Sequence, residues 1–290
     1  MKTAPFRTFV LAAAGLTLVF ALPLWHLVRF ALADDLYSYI PLMPVACAYL
    51  AWTLQPELPA QSFPARRAAA GFFAAAAGVL AVHIFMNHAL ALAVLAWLLA
   101  LAGAGCWSLG GATMRALVFP FCLLLFMIPL PPGMRGAIEG ALQHGSADVA
   151  EWMFILSGTP LERADTVFHL PGITLEVAPE CSGIHSTWIL FITSLMAGRM
   201  ILRQPGRRAI LCLAVIPLAL LRNGFRVFVI GQLCIHIGPR MIDSPIHRHG
   251  GPIFFALSLV PLFLLLYYLH RRTPAAKPPP GAGGAAVPGK

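Results

Sequence analysis

The sequence predicts an all-α polytopic membrane protein with about eight transmembrane helices, an interfacial helix and a short β-hairpin on the outer face. Three observations carry that prediction. Of the 290 residues, 59% are hydrophobic and only 11% charged, against about 45–50% and about 25% in a soluble domain. Mean hydropathy is +0.79, and apolar runs long enough to cross a hydrocarbon core of about 30 Å follow one another along most of the chain. The net charge of +9 is spread between those runs and forms no continuous patch. That argues against a nucleic-acid partner and makes the basic residues topology signals.

Taken in order, Lys2 and Arg7 precede an apolar run from Thr8 to Val28. Ala31-Leu32-Ala33 resembles a signal-peptidase site, but an apolar core of this length exceeds an h-region of about 7–15 residues, so an uncleaved first helix is expected. A second span is expected over Leu36–Leu54, followed by a proline-rich loop to Arg67. Ala68–Gly110 is too long for one crossing at 1.5 Å per residue and is read as two helices turning near Asn87-His88. A fifth span covers Ala112–Leu130 and is stopped by Pro129, Pro131 and Pro132.

The character then changes. Ile138, Leu142, Val149, Trp152, Met153 and Leu156 recur at helical spacing, with Glu139, Gln143, Asp148 and Glu151 on the other side, as in a helix lying at the interface or across the bundle. Thr166–Leu170 and Ile173–Val177 flank Pro171-Gly172 and predict a hairpin. Three more spans follow, over Ile184–Met200, Ala209–Ile235 and Pro252–Leu269. Residues 1–272 are expected to form one integral-membrane domain with its chemistry in about 160–256; the Pro/Gly/Ala-rich tail 273–290 is expected to be disordered.

With eight spans and a cytoplasmic N-terminus, thirteen of the twenty Lys and Arg residues fall on the cytoplasmic side and five on the other. Of the acidic residues only Glu57 falls inside. This asymmetry puts both termini in the cytoplasm and the hairpin outside.

One cysteine stands apart from the apolar background. Cys181 lies in Ala178-Pro179-Glu180-Cys181-Ser182-Gly183-Ile184-His185, just ahead of an apolar helix, whereas Cys47, Cys106, Cys122, Cys212 and Cys234 lie inside hydrophobic runs. A thiol at a helix N-terminus feels the positive end of the macrodipole, which favours the nucleophilic thiolate. Within the seventh span sit Arg222, Asn223 and Arg226. A charge deep in a bilayer costs at least about 2.5–3.5 kcal/mol, so these residues are either functional or interhelical glue. The outer loop before the last span carries His247 and His249, and His185 lies one turn from Cys181; each of the three is a candidate general base. Cys181 with two histidines could supply three zinc ligands, but no His-Glu-x-x-His or comparable spacing supports a metal. Neither a metal nor another cofactor is expected.

In combination, Glu180-Cys181-Ser182-Gly183, then Asn223-x-x-Arg226, then His247-x-x-x-Gly251-x-x-x-Phe255 resembles the exosortase/archaeosortase family. The resemblance implies a cysteine transpeptidase of the bacterial inner membrane with its active site facing the periplasm. Carried over residue by residue, it would make Cys181 the nucleophile, with Arg226 and His247 completing the trio; beside these, Glu180, Arg222, Asn223, His185 and His249 are expected to be substrate-binding or supporting residues. The partners it implies are the bilayer and exported proteins ending in a short motif (Pro-Glu-Pro in the commonest bacterial class), a transmembrane helix and a basic cluster. The rival reading is a non-catalytic membrane subunit of an exopolysaccharide export or assembly system, in which Arg222, Asn223 and Arg226 would be glue and Cys181 incidental. A transporter is a third reading, which the lack of an internal repeat disfavours.

Overall fold

The computed structural model describes residues 3–59, 62–86, 89–177, 183–238, 240–241 and 251–272. The chain divides into two compact units, Met1–Ile138 and Glu139–Lys290. Five helices are long and apolar enough to cross a membrane, or up to seven spans if each of two bent helix pairs counts as one. The count of eight is therefore not reached among the described residues, and prolines account for much of the difference.

In the first unit, the predicted first span is two helices, α1 (Thr3–Val19) and α2 (Ala21–Ala33), bent by 76°. Pro23 has no N–H for the carbonyl of Val19, and its ring crowds that carbonyl, so the helix breaks there. The expected second span reduces to two 3-10 turns and an 11-residue helix, α3 (Met43–Thr53); at 1.5 Å per residue it reaches only about 16 Å. The two predicted helices of the next run are present as α4 (Arg66–Phe85) and α5 (Leu90–Ser108). The turn expected at Asn87-His88 lies outside the described residues. The two helices pack together, with Phe73 of α4 against Gly103 of α5, and α5 buries Ala93, Ala96, Ala100 and Ala104 at successive turns. The fifth predicted span is broken into α6 (Gly111–Ala116), α7 (Val118–Leu123) and a 3-10 turn. Pro120 stands four residues after Ala116, the same arrangement as Pro23 after Val19.

The second unit is built on α8 (Pro132–Leu156), which starts just before it with proline at its first position. Its buried line is Leu142, Ser146, Ala147, Ala150 and Phe154, while Trp152 and Leu156 of the predicted apolar face are exposed. Small residues permit this shift, because they let a neighbouring backbone come close. The hairpin is one strand larger than expected: β1 (Glu162–Ala164), β2 (Val167–Leu170) and β3 (Ile173–Glu176) form an antiparallel meander in sequence order. The β2–β3 turn is at Pro171-Gly172, with Gly172 at φ +79°. β1 escapes hydrophobic patterning because Glu162-Arg163-Ala164 is polar. Its Arg163 reaches back to α8, bonding Glu151 at 2.6 Å and Asp148 at 2.8 Å. Burial works against the charge on Arg163, but these two carboxylates outweigh it and raise its pKa.

The remaining helices are α9 (Ile184–Ile201), α10 (Pro205–Leu213), α11 (Val215–His236) and α12 (Gly251–Arg271). Pro217 follows the end of α10 by four residues and marks the α10–α11 break. Two adjacent arginines of α10 satisfy carbonyls at other helix ends: Arg207 donates to Leu269 and Arg272, Arg208 to Leu202. Leu190, Leu202, Leu211, Val215, Leu262 and Leu266 form one core between these helices. A second core joins α8 (Ala147, Ala150, Phe154), the sheet (Phe168, Leu170, Leu175, Val177) and α11 (Val227, Ile230, Cys234).

α11 meets α8 through glycine. A Cβ on Gly231 would lie 2.5 Å from the Phe154 ring, and one on Gly224 would lie 2.6 Å from Val149. Gly231→Ala should therefore destabilise the protein by about 1–3 kcal/mol, the usual range for overpacking. Gly140→Ala, where an added Cβ meets nothing within 4 Å, should be neutral or stabilising by up to about 1 kcal/mol from helix propensity. Thermal unfolding of the detergent-solubilised variants checks both; a Gly231→Ala protein as stable as wild type would contradict the close packing.

Candidate active site

The described part of the site is assembled from three pieces of the second unit: the end of β3, the first turn of α9, and the middle of α11. Gly183 is the key residue. It precedes α9 in the left-handed conformation, at φ +72°. An L-residue there costs about 1–2 kcal/mol, which glycine avoids. Space makes the same demand, since a Cβ would sit 2.7 Å from Nη2 of Arg222 and 3.2 Å from Oδ1 of Asn223.

The Gly183 carbonyl is a hub. It accepts from the Thr187 backbone N–H at 3.0 Å, Thr187 Oγ1 at 2.8 Å and Ser186 Oγ at 3.1 Å. Arg222 Nη2 donates to the same carbonyl at 3.2 Å and to Thr187 Oγ1 at 3.3 Å. Arg222 is only 7% exposed and Asn223 2%. The other guanidinium terminus, Nη1, is buried without a partner among the described residues. Such a donor costs about 1–3 kcal/mol if it stays unpaired.

One turn along α11, Arg226 joins Asn223 in lining a shallow pocket with Leu175, Glu176, Val177, Val227 and Ile230. Val177 ends this side of the site. Its N–H donates to the Thr166 carbonyl, and its own carbonyl accepts from Gln143 Nε2 of α8. Gln143, Thr187 and the hub role of Gly183 were not evident from sequence. Gln143 reads as part of the polar face of α8, and only the docking of the sheet turns it onto a carbonyl.

The structure thus brings together three of the residues singled out from sequence. Arg222 and Asn223 meet the start of α9, and Asn223 and Arg226 face the end of β3. His185 is half-buried in the first turn of α9. Glu180 and Cys181 lie in 178–182, and His247 and His249 in 242–250; all four are outside the described residues. Of the other cysteines, Cys47, Cys106 and Cys234 are buried, Cys212 is half-buried and Cys122 is exposed. Among the described residues no three His, Cys, Asp or Glu side chains gather as a metal site would require.

The polar cluster on the membrane helix α11, docked on the glycine that opens the apolar helix α9, defines an integral-membrane protein with a built polar site. The family model for transmembrane exosortase matches residues 25–264, so the chain belongs to the transmembrane exosortases. That match takes in all the residues of the site. No curated protein and no solved structure matches the chain.

Gly183 supplies a prediction of its own. Gly183→Ala should destabilise the solubilised protein by at least about 1 kcal/mol, from backbone strain alone. Gly183→Asn should lose less, because asparagine tolerates the left-handed region, yet still fall below wild type because its Cβ meets Arg222. Equal melting temperatures for all three proteins would mean that the contact with Arg222 constrains nothing.

Proposed function

We propose that this protein is a cysteine transpeptidase or protease that cleaves the C-terminal sorting signal of exported proteins. The observation that carries the reading is the docking of Arg222 and Asn223 on Gly183. Gly183 is two residues after Cys181, and two residues of chain span at most about 7 Å. The same covalent limit, applied from Val177, keeps Cys181 within about 14 Å of the pocket that Arg226 lines.

The chemistry follows from the residue types. The Cys181 thiolate attacks the carbonyl carbon of the sorting motif, and the negative charge moves to the carbonyl oxygen. Arg226 stabilises that oxyanion with its planar fork of donors. The peptide C–N bond then breaks, the departing amine takes a proton from His247, and a thioester remains on Cys181. Water or an amine acceptor, deprotonated by the same histidine, attacks the thioester and restores the thiolate. Asn223, buried beside both arginines, orients Arg226; Glu180, His185 and His249 are supporting groups. The site faces the periplasm in this reading, both termini are cytoplasmic, and residues 1–272 act as one membrane domain. Its substrates arrive after export, tethered by their own C-terminal helix.

One observation favours the rival reading. Arg222 donates to α9 as interhelical glue would, and a non-catalytic subunit of an export or assembly system could use it in that way alone. Cys181→Ser separates the two, because a subunit would keep working without its thiol. In cells, we expect Cys181→Ser and His247→Ala to abolish processing and His249→Ala to leave substantial activity. The readout is substrate mass with the C-terminal helix still attached. Processing at the wild-type rate in Cys181→Ser would end the transpeptidase reading; a dead His185→Ala beside an active His247→Ala would move the base to α9.

Arg226→Lys should be nearly as damaging as Arg226→Ala in the same assay, by at least about tenfold, since lysine keeps the charge but loses the fork. A lysine variant with most of its activity would reduce Arg226 to a point charge.

A further inference from the structure

In the first unit, α1, α4 and α5 leave a cavity of about 420 Å³ between them, inside the range of about 300–1,000 Å³ typical of ligand sites. Each helix lines it with one face: Thr8 and Ala12 from α1, Ala70 and Phe73 from α4, and Ala104, Trp107 and Ser108 from α5. The three alanines make the space, because their side chains end at Cβ. The two hydroxyls are spent on their own helices, Thr8 Oγ1 on the Ala4 carbonyl at 3.1 Å and Ser108 Oγ on the Ala104 carbonyl at 2.6 Å. The lining is therefore apolar, and Ala70 and Phe73 are exposed along it.

One end of the cavity is charged. α4 and α5 are both long and apolar enough to span a membrane, and Phe73 against Gly103 and Arg66 over Trp107 pair them in antiparallel order. The start of α4 and the end of α5 thus share one membrane edge. There the Arg66 guanidinium lies 5.7 Å from the Trp107 ring centroid, within cation–π reach. Arg66 stands one turn before Ala70 and two before Phe73, on the same face of α4. No carboxylate pairs with it among the described residues. Arg67 follows, so two cations occupy the positive end of the α4 dipole with no acidic residue in the first turn. That arrangement repels itself, and an anion relieves it.

We infer that this cavity binds one anionic glycerophospholipid, with an acyl chain along Ala12, Ala70, Phe73 and Ala104 and the phosphate on Arg66. The two halves of the site set the occupant together. An apolar lining in a membrane span takes hydrocarbon, and a planar guanidinium takes phosphate oxygens in pairs. Basic groups beside membrane helices select anionic headgroups. A zwitterionic lipid would bring its own cation up to Arg66 and Arg67, and a substrate helix ending in a basic cluster meets the same repulsion. The site stands apart from the proposed transpeptidase chemistry, whose residues all lie in the second unit. A lipid bound there stabilises the folded protein by mass action.

The test uses full-length protein in detergent, supplied with phosphatidylglycerol or phosphatidylcholine of identical acyl chains. Native mass spectrometry counts lipids retained per folded protein, and thermal unfolding follows the same samples. Wild type should retain one phosphatidylglycerol at concentrations where little phosphatidylcholine stays bound, and should melt higher with the anionic lipid. Arg66→Gln should lower phosphatidylglycerol retention about fivefold, the order expected for one basic residue at an anionic headgroup. Ala70→Phe, which fills the exposed side of the cavity, should lower retention of both lipids. Arg29→Gln removes an equal charge from α2, outside the lining, and should match wild type. All three substitutions are at exposed positions. Equal retention of the two lipids by wild type, or full phosphatidylglycerol retention by Arg66→Gln, would overturn the site. So would a photoreactive residue in place of Ala70 that captures substrate rather than lipid in cells, which would assign the cavity to the substrate's helix. None of these results touches the transpeptidase reading, which falls only if Cys181→Ser still processes substrate.

Discussion

The structure of the second unit turns on one hydrogen bond, from the Arg222 guanidinium to the Gly183 carbonyl. A guanidinium inside an apolar helix is costly unless its donors are met, and α11 meets part of that need at the first turn of α9. The demand runs both ways. Arg222 needs an acceptor that approaches closely, and only a residue without a Cβ leaves room for Nη2. The left-handed backbone of Gly183 then turns the chain into α9, and Thr187, four residues on, returns its hydroxyl to the same carbonyl. Glycine's identity, the start of α9 and the register of α11 against it are one constraint seen from three sides.

The sheet gives the site its other wall. It is held between α8 and α11 by the core around Phe154 and Phe168, and the closeness of those helices depends on Gly224 and Gly231. The ion pairs of Arg163 and the bonds from Gln232 to Ser157 and Thr159 fasten its start and the connection from α8. Its last strand delivers Val177 to Gln143 and contributes Glu176 to the pocket that Arg226 also lines. Packing remote from the polar cluster thus decides where the chain entering 178–182 begins.

Much of this was legible in the sequence, and what was not has identifiable causes. Apolar runs located the helices, Pro171-Gly172 located the hairpin turn, and the buried Arg222 and Asn223 were marked by their cost in an apolar span. Hydropathy cannot see a broken helix, however. Val19, Ala116 and Leu213 each end a helix four residues before Pro23, Pro120 and Pro217, and those runs look continuous to an apolar count. Pro261, by contrast, lies within the unbroken α12, so spacing alone does not decide a break. β1 was missed because long-range ion pairs replace hydrophobic alternation there. Gln143 was missed because a helix face is polar or apolar by pattern, while a single inward amide is set by what docks on it. Cys181 and His247, the residues most legible as chemistry, stand beyond the described residues, and their roles rest on sequence and covalent reach.

The central claim is that Cys181 carries the substrate as a thioester. The most direct measurement is the mass of the Cys181 peptide from wild-type protein quenched in acid during turnover with an exported substrate. The account predicts an added mass equal to the substrate's N-terminal portion, removed by neutral hydroxylamine, with cleavage placed at the sorting motif. Active processing with an unmodified Cys181 peptide, or the adduct on another residue, would contradict it.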